Sequence, residues 1–201
     1  MYIPAHFRQQ DREAAIAFMQ AHPFAIIVST VDGLPVATHL PFHVIMDGAD
    51  IILTAHFAKA NPQWKNLQEA LVIFSGPHAY ISPTHYEREQ NVPTWNYIAV
   101  HAYGTAEIVH DEAAGLSILE DLIRQNEPEY LAQWSGLSPE YKTGMYKGIV
   151  PFRIRVTKLD AKEKLSQNKT AFERNHIIAG LQEEADGATR ELGDYMKQRE
   201  L

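Results

Sequence analysis

Three stretches of this chain bring together side chains able to do chemistry. The first is Leu53-Thr54-Ala55-His56-Phe57-Ala58-Lys59-Ala60-Asn61-Pro62-Gln63-Trp64-Lys65. Its residue types predict a strand end, a short loop and a helix start, with Asn61 as cap and Pro62 in the first turn. Such a start leaves backbone N–H groups unpaired and carries a partial positive charge. Thr54, His56 and Lys59 would add donors and a full charge, the set that a phosphate dianion requires. The plainer alternative is a capped helix beside a solvated lysine. The second stretch is Thr38-His39-Leu40-Pro41-Phe42-His43. His39 and His43 are four apart, so on a strand both face one side. Without a nearby carboxylate they specify a metal site poorly, and hydrogen-bonded strand histidines beside a ligand or a subunit contact are the better reading. The third joins Gly76-Pro77-His78-Ala79-Tyr80-Ile81-Ser82-Pro83 to Val92-Pro93-Thr94-Trp95-Asn96-Tyr97. An aromatic ligand ring could stack on Trp95 while Asn96 bonds its polar edge. Trp95 serves equally well as a core or dimer-interface anchor.

Composition removes several classes of function. The 201 residues hold 18 basic and 25 acidic side chains, a net charge of −7, which argues against coating nucleic acid by charge alone. Cysteine is absent, so disulfides, thiolate metal sites and thiol nucleophiles are excluded. Ten histidines raise the question of metal or haem, yet none falls in a Cys-x-x-Cys-His or His-Glu-x-x-His pattern, and no metal site is expected. A nucleophile elbow, a Walker loop and a Gly-x-Gly-x-x-Gly turn are also missing. No apolar run approaches the roughly 20 residues of a membrane helix, and the N-terminus lacks the pattern of a secretory signal. A cytoplasmic protein is the expectation.

The elements that would position these groups are mostly strands. Asp11 can cap a first helix with Ala15, Ile16, Phe18 and Met19 on its apolar face, ended by Pro23. Strands follow over 24–30, 36–44 and 50–55, with Asp32-Gly33 and Asp47-Gly48 as hairpin turns and Pro41 as an interruption. Further short strands are expected over 70–75 and 79–82, split by Gly76-Pro77, and a longer one over 97–109 with Gly104 at a bulge. An amphipathic helix over 111–125, helical pieces at 129–134 and 139–147, a strand at 151–159 and a basic-polar linker at 162–169 complete the order. A terminal helical region carries Lys169, Arg174, Arg190, Lys197 and Arg199 against seven carboxylates, unlike a basic DNA-reading helix. Short connections between many strands favour an antiparallel barrel or sandwich with peripheral helices, a mainly β, α+β class.

Taken together, these blocks resemble the PaiB-type FMN-binding transcriptional regulators, whose split β-barrel is like that of pyridoxamine 5′-phosphate oxidase. The resemblance rests on Met1-Tyr2-Ile3-Pro4-Ala5-His6-Phe7, His39-Leu40-Pro41-Phe42 and the His56–Trp64 block. It continues through Gly76–Pro83, Pro93-Thr94-Trp95-Asn96-Tyr97 and Lys164-Leu165-Ser166-Gln167-Asn168-Lys169, in serial order over nearly the whole chain. It implies a split-barrel domain over 1–160, a C-terminal helical extension over 161–201 packing on the barrel or a dimer partner, and a homodimer holding FMN at its interface. It also implies that the flavin phosphate lies at Thr54 to Asn61, with Lys59 as the main charge-assisted contact and Thr54, His56 and the backbone near Asn61 as further donors. The ring would lie along Thr38, His39 and Leu40, with Trp95 and Asn96 supplied by the partner or the barrel rim. One departure stands out: oxidase relatives use arginine-rich phosphate contacts, where this chain has His39 and His56.

Three functions follow as expectations. The first is a flavin-binding negative regulator, with DNA as a possible partner that the net charge does not favour. The second is an FMN-dependent oxidoreductase such as a flavin reductase, with His39, His43 and His78 as conceivable acids or bases but no assigned catalytic residue. The third is a haem-binding or haem-degrading split barrel.

Overall fold

The computed structural model of the protein describes residues 1–199; Glu200 and Leu201, the end of the expected C-terminal extension, lie outside the described residues. Seven strands form one sheet in the order β2-β1-β5-β6-β7-β4-β3, a split barrel accompanied by six helices. The strands are β1 (Phe24–Val31), β2 (Leu34–Pro41), β3 (His43–Asp47), β4 (Asp50–Ala58), β5 (Glu69–Ile81), β6 (Thr94–Ile108) and β7 (Ile149–Lys164). The helices are α1 (Arg12–Ala21), α2 (Glu112–Asn126), α3 (Tyr130–Gly136), α4 (Pro139–Tyr146), α5 (Ala171–Glu183) and α6 (Gly187–Gln198). β5, β6 and β7 are long enough that each contributes to both of two compact units.

One unit comprises Ile16–Phe74 and His101–Leu159. Asp32 (φ 51°) and Gly33 (φ 79°) form the tight turn joining β1 to β2, a pair of positive φ angles that an Asp-Gly dipeptide accommodates. Pro41 does more than interrupt a strand. It ends β2, and the chain passes through fully buried Phe42 into β3, so the expected strand over 36–44 becomes two strands at opposite edges of the sheet. Period-two alternation then sorts β4. Ile51, Leu53, Ala55 and Phe57 enter the core, where Phe57 stacks on Phe152 at 4.8 Å between ring centres. Phe42 meets Phe74 and Phe152 edge-on at 6.0 and 6.1 Å. Each such buried ring stabilises the fold by roughly 1.5–3 kcal/mol relative to exposure. Gly104 lies against the β7 backbone: a Cβ there would stand 2.2 Å from the Arg155 carbonyl oxygen, so the residue is required by close approach.

The other unit comprises Met1–Ala15, Ser75–Val100 and the chain from Asp160 onward. The Met1 ammonium meets the Asp160 carboxylate at 2.8 Å, and α5 opens on a full capping box between Thr170 and Glu173. Leu165, Ile177, Leu181, Leu192 and Met196 are buried together with Asn96. Glu163 receives the Arg199 guanidinium at 2.8 and 2.9 Å and the Tyr195 hydroxyl at 2.7 Å. Burial, with that carboxylate beside it, pushes the Tyr195 hydroxyl far above its ordinary range.

Two expectations for local structure are revised. Gly76-Pro77 does not split β5, which runs unbroken through it. β1 pairs with only Leu71, Val72 and Ile73 of that strand, so the proline lies where β5 has no β1 partner to bond. The supposed linker over 162–169 is in part strand: Lys162 and Glu163 are buried in β7.

Candidate functional site: the split beside β2 and the end of β4

β2 is a sheet edge, paired through β1 alone, and it also lies beside β4 without pairing to it. Along Thr38, His39 and Leu40, alternate backbone N–H and C=O groups therefore face outward with no strand partner. Thr38 stands opposite Ile27 and Leu40 opposite Ala25, which puts both on the inner face. His39 takes the outer, exposed face and stacks near Phe24 at 6.1 Å.

The far wall is the segment after β4. Asn61 donates its side-chain amide to the Thr38 hydroxyl at 3.0 Å, and its Oδ1 accepts from the Gln63 N–H at 3.0 Å. Thr38 in turn donates to Gln63 Oε1 at 2.6 Å, while Gln63 Nε2 donates to Ser29 Oγ at 3.0 Å and to the Val36 carbonyl at 3.1 Å. Gln63 is 1% exposed, so this is an internal latch between β1, β2 and the turn Pro62–Asn66. Two predicted site residues are thus brought together, but their polar groups face each other. The turn itself is a 3-10 helix of five residues whose Gln63 N–H is already capped, so the expected helix start contributes little free N–H.

Lys59 is what the segment leaves open. Its N–H donates to the Gly148 carbonyl at 2.8 Å and its carbonyl accepts from Trp64 Nε1 at 3.1 Å, so the backbone is pinned on both sides. The side chain is exposed, and its ammonium has no partner among the described residues.

Thr54 and His56 sit elsewhere than expected, because β4 runs on to Ala58 rather than ending near Ala55. Five extended residues separate Thr54 from Lys59 by about 16 Å. Both side chains take the face opposite the Phe57 core. Thr54 stands across from His43 of β3 and Arg153 of β7, and His56 across from Pro151. Thr54 Oγ1 and the Nδ1 atoms of His43 and His56 are buried without a hydrogen-bond partner. His56 also lines a 460 Å³ cleft with Leu119, Leu122, Trp134, Tyr141 and Met145 from the helices of the same unit. Burial holds its imidazole below the ordinary pKa, so it is the neutral ring that faces this apolar space.

Arg153 is the functional candidate that sequence reasoning missed. Its guanidinium is exposed and unpartnered among the described residues, whereas its neighbour Arg155 is paired with Asp50. The alternation Pro151-Phe152-Arg153-Ile154-Arg155 was visible in sequence; the pairing of Arg153 with Thr54 was not. It puts an arginine where the chain had shown only histidines.

Trp95 and Asn96 belong to the other compact unit. Trp95 is 53% exposed and borders a cavity with His78 and Tyr80, whose rings lie 6.0 and 6.1 Å from its own. Asn96 is fully buried, with its amide donating to Ser166 Oγ at 3.0 Å and to Met196 Sδ at 3.6 Å. No group of three or more His, Asp or Glu residues suited to a metal ion occurs among the described residues. No helix among them is long and apolar enough to cross a membrane.

Residues 1–158 match the family described as "Putative FMN-binding domain". The chain belongs to this family. It is also 38% identical over 204 residues to protease synthase and sporulation protein PAI 2 of Bacillus subtilis, covering 99% of this chain and 98% of that protein. Among solved structures, the flavocytochrome Anf3 from Azotobacter vinelandii aligns with a TM-score of 0.63 at 19% identity, over 81% of this chain and 72% of that one. A FAD- and haem-binding protein from Mycobacterium smegmatis aligns with a TM-score of 0.63 at 18% identity, over 86% and 80%. At these identities the structures show a shared fold. The match to the PaiB protein runs end to end, so membership of the PaiB-type family extends over both compact units.

Proposed function

We propose that the protein binds FMN, with Lys59 holding the phosphate and the free edge of β2 at Thr38, His39 and Leu40 receiving the polar edge of the ring. The observation that carries this reading is Lys59: a lysine with its backbone pinned on both sides and its ammonium unpartnered, placed after β4 next to the latch that reaches β2. An ammonium held this way is ready for a charge-assisted bond to a dianion. In this reading the side chains of Thr38 and Asn61 shape the split while the backbone of Thr38 meets the ring, and Thr54 and His56 act from the covered face of β4. A bound flavin would supply redox chemistry that no side chain here provides.

The finer role is that of a flavin-responsive negative transcriptional regulator acting as a cytoplasmic homodimer. Its support is the relative's name, which ties that protein to protease synthesis and sporulation. Exposed Phe24, on the outer face of the β1–β2 hairpin beside His39, supplies apolar surface next to the open edge for a second copy to cover. A net charge of −7 favours action through a protein partner over direct DNA contact. The test is the absorption spectrum of the purified protein, then titration with FMN and with riboflavin. Saturable FMN binding that riboflavin does not match supports the reading; no binding of either overturns it. NADPH oxidation with added FMN separates a binder from a flavin reductase.

A haem reading is favoured by one observation, the neutral imidazole of His56 at an apolar cleft bordered by Trp134, Tyr141 and Met145. A Soret band with haemin that His56→Ala abolishes would establish it, and an unchanged band would dismiss His56 as the ligand.

A further inference from the structure

The block Lys164-Leu165-Ser166-Gln167-Asn168-Lys169 takes no part in the flavin reading, yet its geometry is unusual. It carries the end of β7 toward α5, and Ser166 adopts φ of 62°, a left-handed conformation that is strained for a serine. The bend is held from beneath. Ser166 Oγ receives the Asn96 amide at 3.0 Å and stands 3.2 Å from Asn96 Oδ1, both residues being buried.

This bend puts Lys164 and Lys169 on one cavity of 240 Å³, along with Tyr86, Asn91, Thr94 and Asn168. The volume equals that of about eight liquid waters at roughly 30 Å³ each. Both ammoniums are held only by neutral acceptors. Lys164 donates to the Trp95 carbonyl at 2.7 Å and to the Thr94 hydroxyl. Lys169 donates to Asn91 Oδ1 at 2.8 Å and lies 3.7 Å above the Tyr86 ring. Among the described residues, no carboxylate lies within ion-pair distance of either lysine. The Glu173 carboxylate acts on Lys169 electrostatically, but its oxygens accept from the N–H groups of Glu87 and Thr170 at 3.2 Å each. An ammonium has three donors, so Lys164 retains one and Lys169 two for another acceptor. Burial, and then the neighbouring Lys162, lower the pKa of Lys164.

We infer that this cavity is an anion site, taking a phosphate-sized oxyanion between Lys164 and Lys169 with Thr94 and Asn168 at its rim. Two partly desolvated cations with spare donors and no carboxylate in ion-pair contact match such a ligand better than they match a packing role. The site shares no residue with Lys59 or the β2 edge, so it stands or falls apart from the flavin reading.

The test is an amide NMR titration of the full chain with inorganic phosphate, repeated for Lys169→Met and Lys164→Met. Saturable shifts at Thr94 and over 166–169 are expected, weakened at least about tenfold by Lys169→Met. FMN affinity should stay within about twofold. Because Lys164→Met removes bonds that tie β7 to β6, Lys169→Met is the deciding variant. Absence of saturable shifts at tens of millimolar phosphate overturns the site, as do shifts that Lys169→Met leaves unchanged. If phosphate and FMN compete, and Lys169→Met weakens both alike, the cavity is the flavin's own phosphate site and a separate anion site is refuted.

Discussion

The Asn61 amide donates to the Thr38 hydroxyl at 3.0 Å, joining the loop after β4 to an edge strand with which β4 makes no ladder. The bond does not act alone. Thr38 in turn donates to Gln63 Oε1, and the buried Gln63 completes its bonding on Ser29 and Val36. The split is therefore closed at one end by side chains where backbone pairing fails.

Removing the hydroxyl should expose that dependence. Thr38→Val leaves Gln63 Oε1 and Asn61 Nδ2 each short of a partner in a largely buried setting. The expected loss is roughly 1–3 kcal/mol of stability, readable by urea denaturation. FMN affinity should fall as well, because the β2 edge is no longer held against the Lys59 loop. Wild-type stability in Thr38→Val would mean that the latch is incidental.

Lys59, just past the end of β4, and Arg153, paired with the middle of β4, are both exposed cations available to the phosphate. Lys59→Ala should weaken FMN binding by about 1.5–3 kcal/mol, the worth of a hydrogen bond to a charged group, while riboflavin binding and the melting temperature stay unchanged. Arg153→Ala should leave FMN within about twofold, since Arg153 is the register partner of Thr54, about 16 Å of strand from Lys59. Isothermal titration of both variants decides the matter. The opposite ranking would move the phosphate to Thr54, midway along β4.

His56 should make stability depend on pH. Burial lowers its folded pKa below the ordinary 6.5, so the unfolded chain takes up the proton first. Stability from keeping this ring neutral is complete above about pH 6.5 and is lost as pH falls through the folded value. Denaturation midpoints between pH 7.5 and about 5 should therefore decline, and His56→Phe should flatten that part of the profile. An identical slope in the variant would place the titration on another histidine.

Much of this molecule was legible along the chain. Asp32-Gly33 forces a two-residue turn through its tolerance of positive φ, and Asp11 offers a short polar side chain that caps α1, accepting from the N–H groups of Glu13 and Ala14. The serial order of motifs along the chain points to the family, because each block is local in sequence. Misjudgements arose where neighbours overrule local preference. Gly76-Pro77 reads as a break, yet β5 continues because its partner on one side has already ended. Lys162 and Glu163 read as linker, yet they are buried, with Glu163 satisfied by Arg199 and Tyr195 from thirty-odd positions away.

By itself, the sequence determined the alternation of β4, the turns, the caps and the absence of thiol chemistry, because each depends on residues within a few positions of one another. Tertiary structure alone decided which polar groups are spent. Thr38 and Asn61 satisfy each other, Asn96 closes on Ser166, and Lys59, Arg153, Lys164 and Lys169 retain unmet capacity. Register explains the difference. Whether a donor faces a partner, a neighbour's ring or open space depends on which strand lies opposite, and that follows from burying the apolar faces of the whole chain at once.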